Sequence, residues 1–329
     1  MGTAERARGP AQVKIPIRSN QCFLCGRRLD SPGSTAEHVF PKWLLKRYGI
    51  WDDDVIMLHG RRKPYRKVRI PCCANCNNRT LSRLESTIRN SLDAGYSQFI
   101  RIDQQVIFQW LLKIFYELLH LEKRTFLNPA RPQEGAGISA AELERFQACY
   151  SFLQSLYIPT RFTPSNPWSI FFFRTKTYAE KRLNFDFRDN TRCLTIAIRM
   201  DDVGIIACLQ DNGAVRPLIG KGMDKFKNHT LHPLQFLELA GHIFYHASRL
   251  NRIPKFVTVR GDGQQQILAL PLGGFSRQPI FDPWVPEQCA RMLSAMWRRP
   301  LTECFTPPDR VGTLLTDARG RFRRLEDSG

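Results

Sequence analysis

The feature that most limits how this chain can fold is a pair of Cys-x-x-Cys motifs, Cys22-Phe-Leu-Cys25 and Cys73-Ala-Asn-Cys76. A two-residue gap forms a tight turn that directs both thiolates to one tetrahedral ion, and four such sulfurs are typical ligands of a structural zinc. Ordinary buried cysteines are the alternative, but they do not explain Gly26, a residue suited to such a turn. We therefore expect these four cysteines to hold a structural Zn²⁺.

Three polar residues accompany the cysteines. Glu37-His38 lies between the two pairs, and Asn77 directly follows the second pair. Oxygen ligands hold a hard divalent cation, and a neutral imidazole can take a proton from water. This combination suits hydrolysis of a phosphodiester. We expect His38 to be the general base and Glu37 and Asn77 to bind a catalytic Mg²⁺ or another divalent cation.

At these positions the chain resembles the HNH, or ββα-metal, endonucleases. It is most similar to their four-cysteine zinc branch, which includes phage endonuclease VII. That branch has Cys-x-x-Cys, an acidic residue followed by His, and then Cys-x-x-Cys-Asn. The matching residues here are Cys22, Cys25, Glu37, His38, Cys73, Cys76 and Asn77.

The resemblance covers residues 20 to 90 and continues in Glu37–Trp43 and Leu81–Glu85, which are similar to predicted bacterial HNH proteins. It implies metal-dependent cleavage of nucleic acid and favours DNA over RNA. One difference concerns the last metal-binding His that many HNH enzymes carry on their helix. After Cys76 the sequence has no His before His120.

The distribution of charge also points to nucleic acid. The chain has a net charge of +19, and residues 1–90 carry 18 Lys or Arg and 7 Asp or Glu, a net of +11. Such an excess neutralises phosphates and releases counterions, although it can also serve solubility alone. The basic run gives the predicted phosphate contacts, and a solvated loop is the alternative. Its residues are Arg61, Arg62, Lys63, Arg66 and Lys67.

Length and composition set the class of protein. At 329 residues and 43% apolar residues, the chain is long enough for two domains with a sizeable core. It has no apolar run long enough for a membrane span and no apolar signal core at its N-terminus, so we expect a cytoplasmic protein that does not bind membranes. The ten cysteines are then expected to be metal ligands or reduced core thiols.

We predict an α+β fold in four parts. Residues 1–19 form a basic arm, and 20–100 form the zinc-stabilised ββα-metal nuclease module. Residues 101–158 form a helical connector, and 159–329 form a mixed α+β domain built on an antiparallel sheet. The sequence leaves open a homodimer or a regulatory partner that acts through the last part.

Within the module, residues 35–40 and 68–70 predict two strands. Pro41 opens a helix that extends to Tyr48, and a second helix begins near Asn77. The second helix has an apolar face with helical spacing. Its residues are Leu81, Leu84, Ile88 and Leu92.

The remaining elements follow from the same patterns. Helices are predicted over 103–124, 139–157, 233–250 and 285–297, with a linker over 126–138. Strands are predicted over 168–174, 183–188, 193–199 and 203–209, and Asp211-Asn-Gly213 and Gly261-Asp-Gly263 predict hairpin turns.

Several residues admit two interpretations. An ion pair of Glu85 with Arg89 is favoured over metal binding, because Glu85 lies about 10 Å along the helix from its start. Asn78 suits a helper ligand or a helix cap equally well. His242 and His246 are four residues apart, and packed core or interface histidines are favoured over a metal pair. Cys72 is expected to be a buried neighbour of the zinc ligands.

Three functions are compatible with these residues. The leading one is an HNH endonuclease in which His38 activates water. The second is a non-catalytic, zinc-stabilised module that binds nucleic acid, with Glu37-His38 as a structural pair. The third is a nuclease effector that residues 159–329 regulate.

Overall fold

The computed structural model describes residues 20–29, 34–57, 61–123, 146–274 and 278–326, and the elements are numbered within these ranges. The predicted basic arm over 1–19 and the linker over 126–138 lie outside the described residues. The predicted helix over 139–157 is described from residue 146 onward, where α5 spans Gln147–Leu153 and is followed by a 3₁₀ turn, Gln154–Leu156.

A small antiparallel sheet forms the N-terminal frame. Strand β1, Ser34–His38, pairs with β4, Arg69–Cys73, so that Ser34 lies opposite Cys73 and His38 lies opposite Arg69. Between them come helix α1, Lys42–Arg47, and a two-stranded sheet of β2, Asp54–Ile56, and β3, Arg62–Pro64. Both predicted strands are confirmed, although β1 ends at His38 and β4 extends to Cys73.

The second strand of this frame runs into a helix. After β4 the chain forms a π-helical turn, Cys76–Leu81, which continues as α2, Ser82–Asp93. The predicted apolar face of this helix is confirmed, since Leu81, Leu84, Ile88 and Leu92 are all buried. Pro41 stands at the N-cap of α1 with φ −54°, one position before the predicted one. A proline is tolerated there because the N–H it lacks has no partner inside the helix.

Helix α4, Gln104–Lys123, is the central helix of the fold, preceded by the short α3, Tyr96–Phe99. The predicted core helix is confirmed, and Trp110, Leu111 and Phe115 are at most 1% exposed. Lys113 and Glu117, which interrupt the apolar pattern in the sequence, are also completely buried. A buried charge is costly unless it is paired. The packing of α4 therefore depends on the groups that pair with Lys113 and Glu117.

Lys113 joins α4 to both β1 and α2. Its Nζ lies 2.8 Å from Glu37 Oε1, 3.0 Å from Glu85 Oε1 and 3.3 Å from Glu117 Oε2. It also donates to the carbonyls of His38, at 3.1 Å, and Val39, at 3.3 Å. Burial alone would lower the pKa of Lys113, but the surrounding carboxylates raise it well above its ordinary value, so the ammonium stays charged.

This arrangement corrects the expected pairing of Glu85 with Arg89. Glu85 bonds to Lys113 of another helix, while Arg89 lies 3.9 Å from Asp93 on its own helix. Burial raises the pKa of Glu85, against the opposing effect of Lys113. Sequence spacing reveals neighbours on the same helix, whereas the partner that satisfies a buried carboxylate comes from tertiary packing.

The C-terminal part contains a five-stranded mixed sheet with the order β10-β6-β9-β8-β7. Strand β10 is parallel to β6, and the other neighbours are antiparallel. The four predicted strands are confirmed with small shifts in their ends. Their ranges are β6, Ser169–Thr175; β7, Phe185–Asn190; β8, Thr195–Met200; β9, Val203–Cys208; and β10, Thr230–Leu231.

A second sheet contains three strands in the order β11-β12-β5. Strand β5, Thr160–Thr163, is parallel to β12, Gln264–Ala269, which forms the predicted hairpin with β11, Phe256–Gly261. The helices are α6, Val215–Asp224; α7, Pro233–Ser248; α8, Pro286–Trp297; and α9, Leu301–Cys304. A short pair closes the series, β13, Phe305–Thr306, with β14, Arg310–Val311.

The hairpin predicted at Asp211-Asn-Gly213 is wrong, because these residues lead from β9 into helix α6. The Asp211 carboxylate accepts hydrogen bonds from Val215 N, at 2.8 Å, and Gly213 N, at 3.2 Å, and it also holds Ser169 Oγ at 2.6 Å. An Asp at this position satisfies free N–H groups at a helix start. An Asp-Asn-Gly sequence therefore indicates a turn, but not the element that follows it.

One hydrophobic core connects the N-terminal frame to the large sheet. It contains frame residues such as Phe23 and Phe40, much of α4, and one face of β9 with Ile205 and Ala207. The opposite face of the sheet, with Ile206, packs against α7 and α8 in a second core. Within the described ranges, no helix combines the length and apolar character needed to cross a bilayer.

We expect Lys113→Met to lower the free energy of unfolding by about 3–5 kcal/mol, because it leaves buried carboxylates without their cation. Urea denaturation of the full chain measures this. Lys221→Met, at an exposed position of α6, is the matched control and is expected to stay within about 0.5 kcal/mol of the parent. Equal stability of the two variants would contradict the proposed importance of the network.

Candidate metal centre and active site

The first Cys-x-x-Cys motif forms a closed turn. Cys22 N donates to Arg27 O at 2.8 Å, and Gly26 N donates to Cys22 O at 2.9 Å. Gly26 has a φ of +73°, in the left-handed region that glycine adopts at little cost. The predicted role of this glycine is confirmed, since the turn brings both thiols of the motif to one side.

The second motif lies where β4 meets the helix, with Cys73 at the end of the strand and Cys76 at the start of the π-helical turn. Cys73 Sγ lies 3.2 Å from Cys76 Sγ and 3.7 Å from Cys25 Sγ. All four predicted ligands, Cys22 included, have their sulfur atoms within 4.8 Å of one another.

These sulfur distances fit a metal ion. With Zn–S bonds of about 2.3 Å, the sulfurs of a tetrahedral site lie about 3.8 Å apart. The four cysteines can therefore hold an ion such as Zn²⁺. Cys72 is fully buried, and its Sγ lies 3.8 Å from Cys22 Sγ, but it is not part of the four-sulfur set. The prediction that Cys72 is a buried neighbour is confirmed.

Two residues that the sequence did not single out support the sulfur cluster. Tyr157 Oη donates to Cys76 Sγ at 2.7 Å, and Gln154 Nε2 donates to the Leu24 carbonyl at 2.9 Å. Both lie in the segment that follows α5. Hydrogen bonds around metal ligands fix their orientation, so this segment holds both motifs in place. The sequence contains no spacing signal that connects residues so far apart.

Asn77 connects the helix to the first strand. Its Nδ2 donates to Thr35 Oγ1 at 3.0 Å, and Thr35 Oγ1 donates to the Cys72 carbonyl at 2.9 Å. Asn78, by contrast, is exposed and lies inside the π-helical turn, whose N-cap is Asn75. The interpretation of Asn78 as a helix cap is therefore wrong.

Glu37 and His38 are both buried, with exposed fractions of 5% and 7%. Successive side chains of a strand point to opposite faces, so Thr35 and Glu37 share one face of β1 and His38 lies on the other. The Glu37 carboxylate contacts Lys113, whereas the His38 ring lies 5.8 Å from the Trp51 ring. Asn77, through Thr35, therefore belongs to the Glu37 face.

The environment of His38 keeps its imidazole neutral. Burial, together with the nearby charges of Lys42 and Arg69, lowers the pKa of His38 to about 4. Both cations are exposed. A neutral ring is the form that accepts a proton.

The residues of the basic run differ in their exposure. Arg61, Arg62 and Lys67 are exposed, whereas Lys63 and Arg66 are half-buried. Arg66 forms an ion pair with Asp52. The β2–β3 sheet therefore presents a basic surface, but Arg66 already has a carboxylate partner.

His242 and His246 have separate surroundings on α7. His242 Nδ1 lies 3.5 Å from Cys289 Sγ, and its Nε2 lies 3.8 Å from Glu238 Oε1. His246 Nδ1 lies 3.0 Å from an Arg249 nitrogen. Among the described Cys, His, Asp and Glu residues, the four-cysteine set is the one group of three or more that could hold a metal. The favoured interpretation as packed histidines agrees with these contacts.

Comparisons of the chain with protein-family models, with curated proteins and with solved structures give no match. The resemblance to HNH endonucleases therefore rests on the residues of the motif alone.

We expect the purified chain to contain about one zinc ion, since four thiolates complete a structural site. Cys73→Ala should lose the ion, because three sulfurs leave the site open. Cys72→Ala, one residue away and equally buried in β4, is the control and should retain it. Elemental analysis of the proteins after gel filtration measures the difference. Retention of zinc by Cys73→Ala would contradict the assignment of the ligands.

Proposed function

We propose that this chain is a metal-dependent endonuclease of the HNH type that hydrolyses phosphodiester bonds, with DNA favoured as its substrate. The observation that carries this proposal is the connection of three elements in one small unit. Strand β1 ends at His38, pairs with β4, and β4 leads through Cys73 and Cys76 into the helix that bears Asn77. The frame that four sulfurs can clamp thereby carries a carboxylate and a carboxamide on one face of β1 and an imidazole on the other face, at the end of the strand.

In this proposal His38 accepts the proton of the attacking water, and its neutral imidazole suits that role. Lys42 and Arg69, whose charges act on His38, are exposed cations, and Arg69 lies directly opposite His38 in the β1–β4 pair. They are suited to contact the phosphates that flank the scissile bond, because an exposed cation gains by replacing a phosphate counterion.

A catalytic divalent cation would be held by Glu37 and Asn77. The donor atoms fit this role in part: Asn77 donates through Nδ2, which leaves its Oδ1 as a ligand, and Glu37 uses Oε1 for Lys113, which leaves Oε2. When bound, such an ion stabilises the charge that develops on the phosphate and the leaving oxygen. The contact with Lys113 Nζ, at 2.8 Å from Oε1, fixes the Glu37 carboxylate in one orientation.

A second candidate is a non-catalytic, zinc-stabilised module that binds nucleic acid. The specific observation in its favour is the Glu37–Lys113 ion pair together with the burial of His38. In this alternative, Glu37-His38 is a structural pair that joins β1 to α4, and the basic surface accounts for binding.

We expect His38→Ala to reduce Mg²⁺-dependent plasmid cleavage at least ~100-fold, the usual contribution of a general base. Zinc content and DNA affinity should stay unchanged, because His38 contacts neither the sulfur cluster nor the basic run. His229→Ala is the matched control, since His229 lies beyond the large sheet and stacks on Phe322. A nicking assay across Mg²⁺, Mn²⁺ and Zn²⁺ measures the activity.

The same assay separates the two candidates. If the parent chain cleaves the plasmid and His38→Ala does not, the result supports the endonuclease proposal. Retained DNA binding with no cleavage in any of the three metals would favour the binding module, and full activity of His38→Ala would remove the assignment of the base.

The basic surface gives an independent prediction. Lys67→Ala should reduce the slope of log affinity against log salt concentration by about 0.9, the value for one lost phosphate contact on duplex DNA. Arg66→Ala should change it less, because Asp52 already pairs with Arg66. Fluorescence anisotropy with a labelled duplex measures both slopes. The salt concentration is varied from about 50 to about 200 mM, a range over which the affinity of such proteins for DNA changes strongly. Equal changes in the two variants would contradict the distinction.

A further inference from the structure

A cavity of about 560 Å³ lies between the basic β2–β3 sheet and the edge strand β7 of the five-stranded sheet. This volume is within the range of small-ligand sites. Its walls come from two regions that are distant in the sequence: residues 50–65 of the N-terminal frame and residues 182–189 of the C-terminal part. Arg298, at the end of α8, completes the rim.

The apolar wall of the cavity is aromatic and firmly packed. Phe185 stacks against Tyr48 with ring centroids 5.3 Å apart, and Phe187 meets Phe40 edge-on at 4.9 Å. Tyr65 also lines the cavity and contacts Phe40 at 4.8 Å. Rings fixed in this way offer a flat apolar surface without the cost of ordering them on binding.

The polar lining contains both paired and unpaired charges. Arg182 pairs with Asp53, and Arg188 lies 3.4 Å from Asp186. Asp189, however, has no hydrogen-bond or ion-pair partner among the described residues, although it shares one face of β7 with Phe185 and Phe187. Burial and the charge of Glu122 raise the pKa of Asp189 to about 6, so the carboxyl is ionised at pH 7.5.

Two cations at the rim form no salt bridge in the described part of the chain, although the charge of Arg298 acts on Asp186, which also lines the cavity. Arg62 and Arg298 both line the cavity and are both exposed. Arg62 also belongs to the basic run that the sequence identified as a phosphate contact. The cavity therefore has an aromatic wall, an unpaired carboxylate next to it, and two exposed guanidinium groups at its opening.

We propose that this cavity binds a single nucleotide with its base inside and its phosphate at the rim. The base would stack on the aromatic wall and donate N–H groups to Asp189, and the phosphate would contact Arg62 and Arg298. Guanine fits best, because its N1–H and N2–H₂ groups can donate to both oxygens of one carboxylate. The nucleotide has two possible sources. If it is an unpaired nucleotide of the substrate strand, the proposal rests on the proposed nuclease function; if it is a free guanine nucleotide, the proposal is independent of that function.

The experiment is a titration of the full, zinc-loaded chain with mononucleotides at pH 7.5, without added divalent ion, by calorimetry. Guanosine monophosphate should bind, and thymidine monophosphate should bind at least ~10-fold more weakly, since a carboxylate repels its carbonyl edge. Asp189→Asn should lower the affinity for guanosine monophosphate about tenfold, and it should not weaken the thymidine nucleotide, because the variant removes the charge that repels the thymine carbonyls. Asp262→Asn, at the exposed β11–β12 turn, is the matched control.

The rim is tested separately with Arg298→Gln. Because Arg298 is exposed, this variant is expected to fold, and the proposal can be tested even if Asp189→Asn does not fold. Arg298→Gln should lower the affinity for guanosine monophosphate about tenfold and leave the affinity for guanosine, which lacks the phosphate, unchanged. Arg161→Gln, on β5 and outside the cavity, is the control. Equal affinities for the two mononucleotides, insensitive to both variants, would overturn the proposal.

Competition identifies the source of the nucleotide. Displacement of guanosine monophosphate by a short single-stranded DNA with one guanine would assign the cavity to the substrate strand. Binding of the mononucleotide without such competition would assign it to a free nucleotide. Since no cleavage is measured, a failed nuclease assay and a failed titration remain distinguishable results.

Discussion

The rest of the N-terminal frame depends on the convergence of four sulfur atoms at the junction of a turn, a strand and a helix. A two-stranded sheet of five-residue strands is marginal in water when it stands alone. In this frame, one end of β4 is fixed by Cys73 and Cys76, and the turn that carries Cys22 and Cys25 is closed by its own backbone hydrogen bonds. An ion bound there adds binding energy to the folded state alone.

Lys113 provides the second constraint, at the opposite end of β1. It is fully buried and contacts the Glu37 carboxylate and the carbonyls of His38 and Val39. The strand is thus held at one end by the sulfur cluster and at the other by an ammonium from the central helix. This explains why the frame and α4 share one hydrophobic core, and why the position of Glu37-His38 depends on a residue far away in the sequence.

Local signals in the sequence were sufficient for the cysteine cluster, because two-residue gaps and Gly26 act within a few residues of each other. The same holds for the buried face of α2 and for most strands of the large sheet. The sequence could not identify Lys113 as the partner of Glu37 and Glu85, since an isolated Lys in an apolar helix gives no indication of what it meets. Tyr157 and Gln154 were missed for the same reason, and Asp211-Asn-Gly213 showed a turn without showing the helix that follows.

The charges around Lys113 bear on the choice between the two proposed functions. Three carboxyl groups, from Glu37, Glu85 and Glu117, surround one ammonium, so a fully ionised cluster is two positive charges short. Protons can supply them, and burial indeed raises the pKa of Glu85 and of Glu117. A divalent cation at the remaining oxygen of Glu37 would supply the same two charges. Lys113 therefore does not neutralise the whole negative charge of this cluster, and its ion pair with Glu37 is compatible with Glu37 as a metal ligand.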